Sequence, residues 1–520
     1  MFWARASTPW PVQPGSRRWL VAKVIDISPI TRIEGHLDFR IEVDDGKATD
    51  AWAMGALFRG FEIMLQGRHP LDALVFVPRI CGVCPTSHQV ASVKCLENAF
   101  GATPPPNAHL VRSILLGLEN AYSHAAHFYV LFGPDLTNQK YADHPLYPEL
   151  VRRFSPVTGS SWLTAVAAKR KLNEAYAILG GQFPHSNVFV PGGVTCRPTP
   201  NDVIKVTAIL MEVQDIVEQM VLGCSVERWL ENKSLADVQA WLDEGEHANS
   251  DLGVFIRVGP ELGLHEIGAG PGNFLAYGVY EQADGSPWLK PGFYDGDFHP
   301  LEQEHITEHV KHSWYQDYEG GRHPSEGETR PFYTRDNGKY SYAKAPRYQN
   351  RPTQVGPLAR QINDQDPLVL DLAKNLGVNA FTRELARLHE EVRLLAQLKT
   401  WLGQLDLREP FYRKPPEVPH RATGFGLTEA GRGALGHWIR IEGGKIANYQ
   451  VITPTAWNVS PKDYLGQHGP IEQAVIGTPV PDESNPVEVQ HVIRSFDPCL
   501  ACTVHLIRGK ETIRELLLDV

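Results

Sequence analysis

The sequence predicts a mainly α-helical fold with smaller antiparallel β elements, an α+β architecture, and three observations carry that expectation. Apolar residues recur at helical spacing through four long segments, 107–132, 162–179, 202–242 and 380–405. Strict alternation of apolar and polar residues marks 23–50 as strands. Strand patterning returns over 437–453, with Gly443-Gly444 as its turn.

In chain order, the first twenty residues hold three Pro and no apolar period. They read as a disordered tail or as the product of too early a translation start, since patterning begins near Val21. Leu37, Phe39, Ile41 and Val43 then alternate with Asp38, Arg40, Glu42 and Asp44, closing on Asp45-Gly46, a hairpin or meander signal. The short apolar run 73–77 reads as buried strand or helix. Helix then dominates until about Gly245. From there to Pro357 the chain is rich in Gly, Pro, Tyr, His and Asp without a period, which predicts ordered loops and short strands over a helical body. One large domain, 21–505, is expected, followed by a short extension, 506–520.

Composition narrows the function. With 42% hydrophobic residues in 520, a large core is available and disorder is excluded. A net charge of −10 and the lack of a long Lys/Arg run argue against nucleic acid as a partner. No apolar run approaches the roughly 20 residues that cross a bilayer, so membrane contact is expected only through another subunit. Arg17-Arg18 resembles a twin-arginine export signal only faintly, because Lys23 and Asp26 follow within a few residues.

Seven Cys in so long a chain do not make a disulfide framework. Four form the pairs Cys81/Cys84 and Cys499/Cys502, each a C-x-x-C turn that presents two sulfurs to one metal. Cys95, Cys196 and Cys224 read as small buried hydrophobes. Four thiolates suit zinc, an iron-sulfur cluster, or soft-ligated nickel or iron. A zinc ribbon sets its knuckles roughly 15 to 20 residues apart, whereas these pairs lie near opposite ends of the chain. Structural zinc, two unrelated half-sites and a catalytic metal all remain open on spacing alone.

The flanks are more specific. Arg79-Ile80-Cys81-Gly82-Val83-Cys84-Pro85-Thr86-Ser87-His88 and Asp497-Pro498-Cys499-Leu500-Ala501-Cys502-Thr503-Val504-His505 resemble the two signature segments of nickel-iron hydrogenase large subunits. Thr31-Arg32-Ile33-Glu34-Gly35-His36, Arg59-Gly60-Phe61-Glu62 and His127-Phe128-Tyr129 with Asp135 fit the same family. So do Gly180-Gly181 with Pro184-His185, Gly433-Ala434-Leu435-Gly436-His437-Trp438, and Pro454-Thr455 with Trp457-Asn458. The resemblance thus runs from about Lys23 to His505.

The resemblance implies reversible oxidation of molecular hydrogen to protons and electrons, in hydrogen uptake, at a site buried at the interface with an iron-sulfur small subunit. All four Cys would bind nickel, with Cys84 and Cys502 bridging to an iron that carries carbon monoxide and cyanide. Soft thiolates suit that role because they delocalise charge at the metal. Arg432, placed before Pro454 at the family's interval, would hold a guanidinium above the metals, and Thr455 would hydrogen-bond a cyanide. Asp135 and Asp497 would orient that Arg. Glu34 would accept protons from Cys499, with a pKa raised by burial. Glu62, His505 and the Val451 carbonyl would hold magnesium or a second iron, and His88 would hydrogen-bond near the cluster.

Residues 506–520 resemble a tail cut off by a maturation endopeptidase after chaperones insert the metals, so the sequence reads as a precursor. The resemblance further implies an oligomer of heterodimers, cytoplasmic as synthesised and membrane-associated or exported only with its small subunit. Taken alone, Arg432 reads as a surface charge, Glu34 as a salt-bridge partner of Arg32, Asp497 as a turn initiator, and the tail as a permanent helix. Gly431, Gln182 and Pro85 depart from many relatives, which bears on subgroup and not on catalysis.

Three rivals stand against this reading, of which a quinone-site subunit of a respiratory complex shares the fold but has lost the Cys pairs present here. His305-Ile306-Thr307-Glu308-His309 fits H-x-x-E-H, which on a helix puts two imidazoles on one face as in some zinc peptidases. Family members that sense hydrogen and signal to a kinase are the third; the tail and His88 favour the enzyme.

Overall fold

The computed structural model describes residues 23–334 and 338–503, with the backbone alone for Cys502 and Thr503. The expectations for 1–20, His505, the 506–520 tail and the Cys502 side chain fall outside the described residues.

The chain opens as a three-stranded antiparallel meander, Lys23–Ile27, Leu37–Asp44 and Lys47–Gly55. Leu37, Phe39, Ile41 and Val43 are buried while their neighbours are not, as a half-buried strand requires. Asp45 and Gly46 both take positive φ in the two-residue turn, the conformation a tight hairpin demands.

Helices Pro106–Ala126, Ser160–Gly180 and Ala380–Gly403 pack together into the main core. Pro106 stands in the first turn of its helix, where no N–H is needed. An Asn379/Thr382 capping box starts Ala380–Gly403. Gly117 lets the two helices approach, since a Cβ there would lie 3.0 Å from Leu398. Helix Pro106–Ala126 continues into a π turn, His127–Phe132. The 73–77 run is helical over Ala73–Phe76.

Three expectations are corrected. The 202–242 segment is not one helix: Pro200–Ile216 passes through a π turn, Val217–Leu222, to Gly223 in the left-handed region. Val226–Leu230 and Leu235–Leu242 follow, capped by Ser225 and Ser234. A Gly stop and two Ser caps outweigh an apolar period that runs straight through them. The 245–357 stretch holds the expected short strands but also a helix, Asp251–Glu261. The C-terminal sheet has three strands, Arg421–Ala430, Gly433–Glu442 and Lys445–Ile452. Most of the first two is buried on both faces, so no alternation announces it.

The helix that follows the first Cys pair, Pro85–Phe100, lies against that sheet. Gly426 makes the contact possible, because a Cβ there would meet the Ala91 carbonyl at 2.0 Å. No helix among the described residues is long and apolar enough to cross a membrane.

Candidate metal centre

Local turn chemistry shapes the first thiol pair. Cys81 ends the 3-10 turn Val77–Ile80, and Cys84 precedes Pro85, the first residue of the next helix. The N–H groups of Val83 and Cys84 donate to Cys81 Sγ at 3.3 and 3.4 Å.

Cys499 arrives from the far end of the chain. Its N–H donates to Thr455 Oγ1 at 2.9 Å, and it leads into the short helix Leu500–Thr503. Cys81 and Cys499 Sγ lie 3.5 Å apart, too far for a disulfide. The sulfurs of Cys81, Cys84 and Cys499 all fall within 4.8 Å of one another, and all three residues are buried. Thiolates binding one ion at about 2.3 Å take up such spacing.

Arg432 lies over this pocket, 3% exposed. Its Nη2 is 3.1 Å from Asp497 Oδ1, while Nε and Nη1 are buried without a hydrogen-bond partner among the described residues. Burial works against its charge, but Asp497 and the three thiols more than offset that and raise its pKa further. The surface-charge reading of Arg432 is therefore wrong. Asp497 is held below the usual carboxylate range despite burial, by Arg432, His127 and Arg387.

Glu34 sits beside the second pair. Burial, then Cys81, raises its carboxyl above the ordinary value against the pull of Arg432 and Arg59. It is not the partner of Arg32, whose Nη2 donates to Asp135 and whose Nη1 donates to the Leu131 carbonyl at 3.1 Å.

The expectation for Asp135 is corrected. Its ion partners are Arg494 and Arg32, not Arg432. Burial pushes its carboxyl up, yet Arg494, His491 and Arg32 together hold it below the usual range. The cause is placement: Asp135 lies beyond the π turn, in the 3-10 segment Gly133–Thr137, facing the helix Val487–Ser495 and the loop at Arg32.

His88 is buried, with Nδ1 3.2 Å from His437 Nε2, and desolvation lowers its pKa to about 4. It is therefore neutral near pH 7, and its Nε2 has no hydrogen-bond partner among the described residues. Pro454 occupies the first turn of Pro454–Asn458, and Thr455, having accepted from Cys499, keeps its own O–H to donate.

At the second expected metal site, the Val451 N–H donates to Glu62 Oε1 at 2.9 Å, and Thr329 donates to Oε2. Lys344 Nζ lies 3.8 Å from Glu62 and 3.4 Å from Glu308. Glu62 and Val451 are thus adjacent.

Sequence reasoning passed over three contributors. Arg59 donates to the carbonyls of both Ile80 and Ala501, tying the two Cys segments together. His127 and Arg387 face Asp497. Arg59 and His127 stood inside the quoted motifs; nothing in the sequence singled out Arg387. The H-x-x-E-H match fails, because Ile306–His309 is a strand paired with Ala345–Tyr348 and not a helix. Adjacent residues there face opposite ways, and Glu308 is engaged by Lys344.

Buried thiols at metal-sharing distance, with unsatisfied guanidinium nitrogens above them, fit a soft metal ion that carries anionic ligands. Such a site in such a fold defines a protein that binds a soft metal through thiolates. The family model for nickel-dependent hydrogenase matches residues 59–145 and 136–505, and a HoxL-like model matches 24–52. The chain is 36% identical to the periplasmic NiFeSe hydrogenase large subunit of Desulfomicrobium baculatum, over 95% of this chain and 97% of that one. It is 31% identical to the hydrogenase-2 large chain of Escherichia coli, over 93% and 97%. The solved NiFeSe hydrogenase of D. baculatum superposes with a TM-score of 0.80 at 35% identity, covering 93% of this chain and 100% of the other. The chain belongs to the nickel-dependent hydrogenase family, as a large subunit, and is an oxidoreductase acting on hydrogen.

Proposed function

We propose that this chain carries the bimetallic centre of an enzyme that oxidises molecular hydrogen to two protons and two electrons, working in hydrogen uptake. The observation that carries the reading is the meeting of Cys81, Cys84 and Cys499 beneath Arg432. Cys502, which follows Cys499 at the C-x-x-C interval, would complete the set that holds nickel, and Cys84 and Cys502 would also help to hold the iron. When bound, nickel together with an iron bearing carbon monoxide and cyanide supplies a redox-active Lewis acid at which the H–H bond is cleaved.

The chain's own groups do the rest. Arg432 holds a fixed positive charge over the pocket, in a site where burial strengthens it. Thr455 offers its hydroxyl proton to an anionic ligand. Glu34, with its carboxyl pKa raised by burial, takes a proton from Cys499 Sγ and passes it outward. Glu62 and Val451, with His505, would hold magnesium or a second iron. Two thiolate pairs devoted to one centre leave too few Cys for a cluster here, so an iron-sulfur small subunit carries the electrons away. The 506–520 tail is the segment an endopeptidase would remove after chaperones load the metals. The assembled protein would be an oligomer of heterodimers, reaching a membrane or being exported together with its small subunit.

The test is the purified mature heterodimer. Nickel and iron are expected, with infrared bands of carbon monoxide and cyanide and hydrogen-dependent dye reduction; zinc alone, without those bands, would overturn the reading. Glu34→Gln is expected to stop turnover with metal content intact, whereas metal loss would make Glu34 structural.

A further inference from the structure

We propose that His127, held between the carboxylates of Asp497 and Glu384, is a positioning residue that fixes the Asp497–Arg432 pair over the thiol pocket. The inference rests on the hydrogenase reading above and extends it to residues that reading leaves idle.

His127 is the first residue of the π turn that ends the Pro106 helix. One wide turn within an α-helix re-aims the side chains that follow it and recurs at functional sites. Here His127 Nδ1 lies 3.2 Å from Asp497 Oδ1, and Nε2 lies 2.8 Å from Glu384 Oε1. The Nε2 contact is a hydrogen bond, whereas Nδ1 approaches Asp497 without hydrogen-bond geometry, so the ring bridges the two carboxylates by one hydrogen bond and one close polar contact. Burial, the largest influence, lowers the pKa of the ring, and Glu384 and Asp497 raise it above the ordinary value against both burial and Arg387.

Arg387 closes the arrangement from the helix Ala380–Gly403. Its Nη1 is 3.6 Å from Asp497 and its Nε 3.6 Å from Glu384, while Nη2 donates to the Ser495 carbonyl at 3.2 Å. None of these residues is more than 3% exposed. His127 and Arg387 both stand between Glu384 and Asp497, and Arg432 is the cation that faces the thiols. Charges buried this deeply hold together only when each is matched and well oriented.

The backbone supports the same role. Asp497 takes φ +52°, a left-handed conformation that non-Gly residues seldom adopt, two positions before Cys499. Three side chains from three separate elements converge on its carboxylate, which holds it in that conformation. Without the His127 ring, Asp497 would retain Arg387 and Arg432, and only the longer Arg387 contacts would still join it to Glu384.

The experiment compares mature wild-type, His127→Gln and Glu384→Gln heterodimers. For His127→Gln we expect full nickel content, an unchanged Michaelis constant for hydrogen and a kcat lower by on the order of ten- to a hundredfold. Shifted carbon monoxide and cyanide infrared bands are expected too, because Arg432 no longer sits in one place. Glu384→Gln, which does not face Asp497, is expected to move kcat and bands the same way by less. It decides the matter should His127→Gln fail to accumulate. Unchanged kcat and bands in the variants would overturn the proposal, as would nickel lost in step with kcat, which marks a merely structural role. A wild-type heterodimer without nickel or hydrogen oxidation would instead refute the hydrogenase reading beneath it.

Discussion

The carbonyl of Glu34 accepts the N–H of Leu500 at 2.7 Å, while the Glu34 N–H points to the Pro498 carbonyl at 3.4 Å. The loop between the first two strands thereby forms a parallel bridge across Cys499. The N-terminal meander is the template on which the second thiol pair is laid.

That contact predicts the effect of Gly35→Ala. Gly35 has φ +84°, and a Cβ would stand 2.7 Å from the Ala501 N and 3.0 Å from Leu500 Cβ. Both the conformation and the close approach need Gly. A destabilisation of about 1–3 kcal/mol is expected, concentrated at the Cys499 segment. Nickel per heterodimer should fall while the circular dichroism spectrum is kept; full nickel retention would count against the template role.

Arg59 tests the joint between the two pairs. Truncation to Ala leaves the Ile80 and Ala501 carbonyls without this donor, a cost of about 1–3 kcal/mol for a buried group left unpaired and less for the half-buried Ala501. Arg59→Ala should lose nickel on dialysis faster than wild type. Arg59→Lys should restore little, since a single ammonium does not reproduce the planar fork.

Asp135→Asn separates stability from catalysis. Asp135 pairs with Arg494 and Arg32, and breaking a buried pair typically costs about 3–5 kcal/mol; part exposure of Arg32 puts this case toward the low end. The half-denaturation temperature should drop by several degrees, with turnover per bound nickel unchanged. A loss of turnover per nickel would restore Asp135 to the company of Arg432.

Glu391 supplies a pH dependence. Burial raises its carboxyl to about 8, so between about 4.5 and 8 the folded chain keeps a proton that the unfolded chain releases. Raising the pH through that window therefore disfavours folding. Glu391→Gln has no such proton, so its stability margin over wild type should grow from pH 5.5 to pH 8.5, by at most about 1.4 kcal/mol per unit. Half-denaturation temperatures of both proteins at the two pH values check the sign.

Legibility followed how local each determinant was. The Leu37–Asp44 strand was readable because one face is buried and the other is not. Strand Arg421–Ala430 was not, since burial on both faces erases the alternation. The Gly223 break was present in the sequence but masked by apolar residues on either side of it. Asp135 was placed with Arg432 by motif position, and only the path of the π turn sends it to Arg494.

By itself the sequence determined the chemistry of this protein: two C-x-x-C turns in telling company, a titratable Glu34, and an Arg432 ahead of Pro454. Turn formation and ligand softness depend on a residue and its nearest chain neighbours, so both survive in one dimension. The tertiary structure alone decided that Cys499 lies 3.5 Å from Cys81, that Arg59 ties both segments, and that His127 and Arg387 stand around Asp497. Those partners come from distant elements that only burial of a shared core brings together, and no local pattern records which ones will meet.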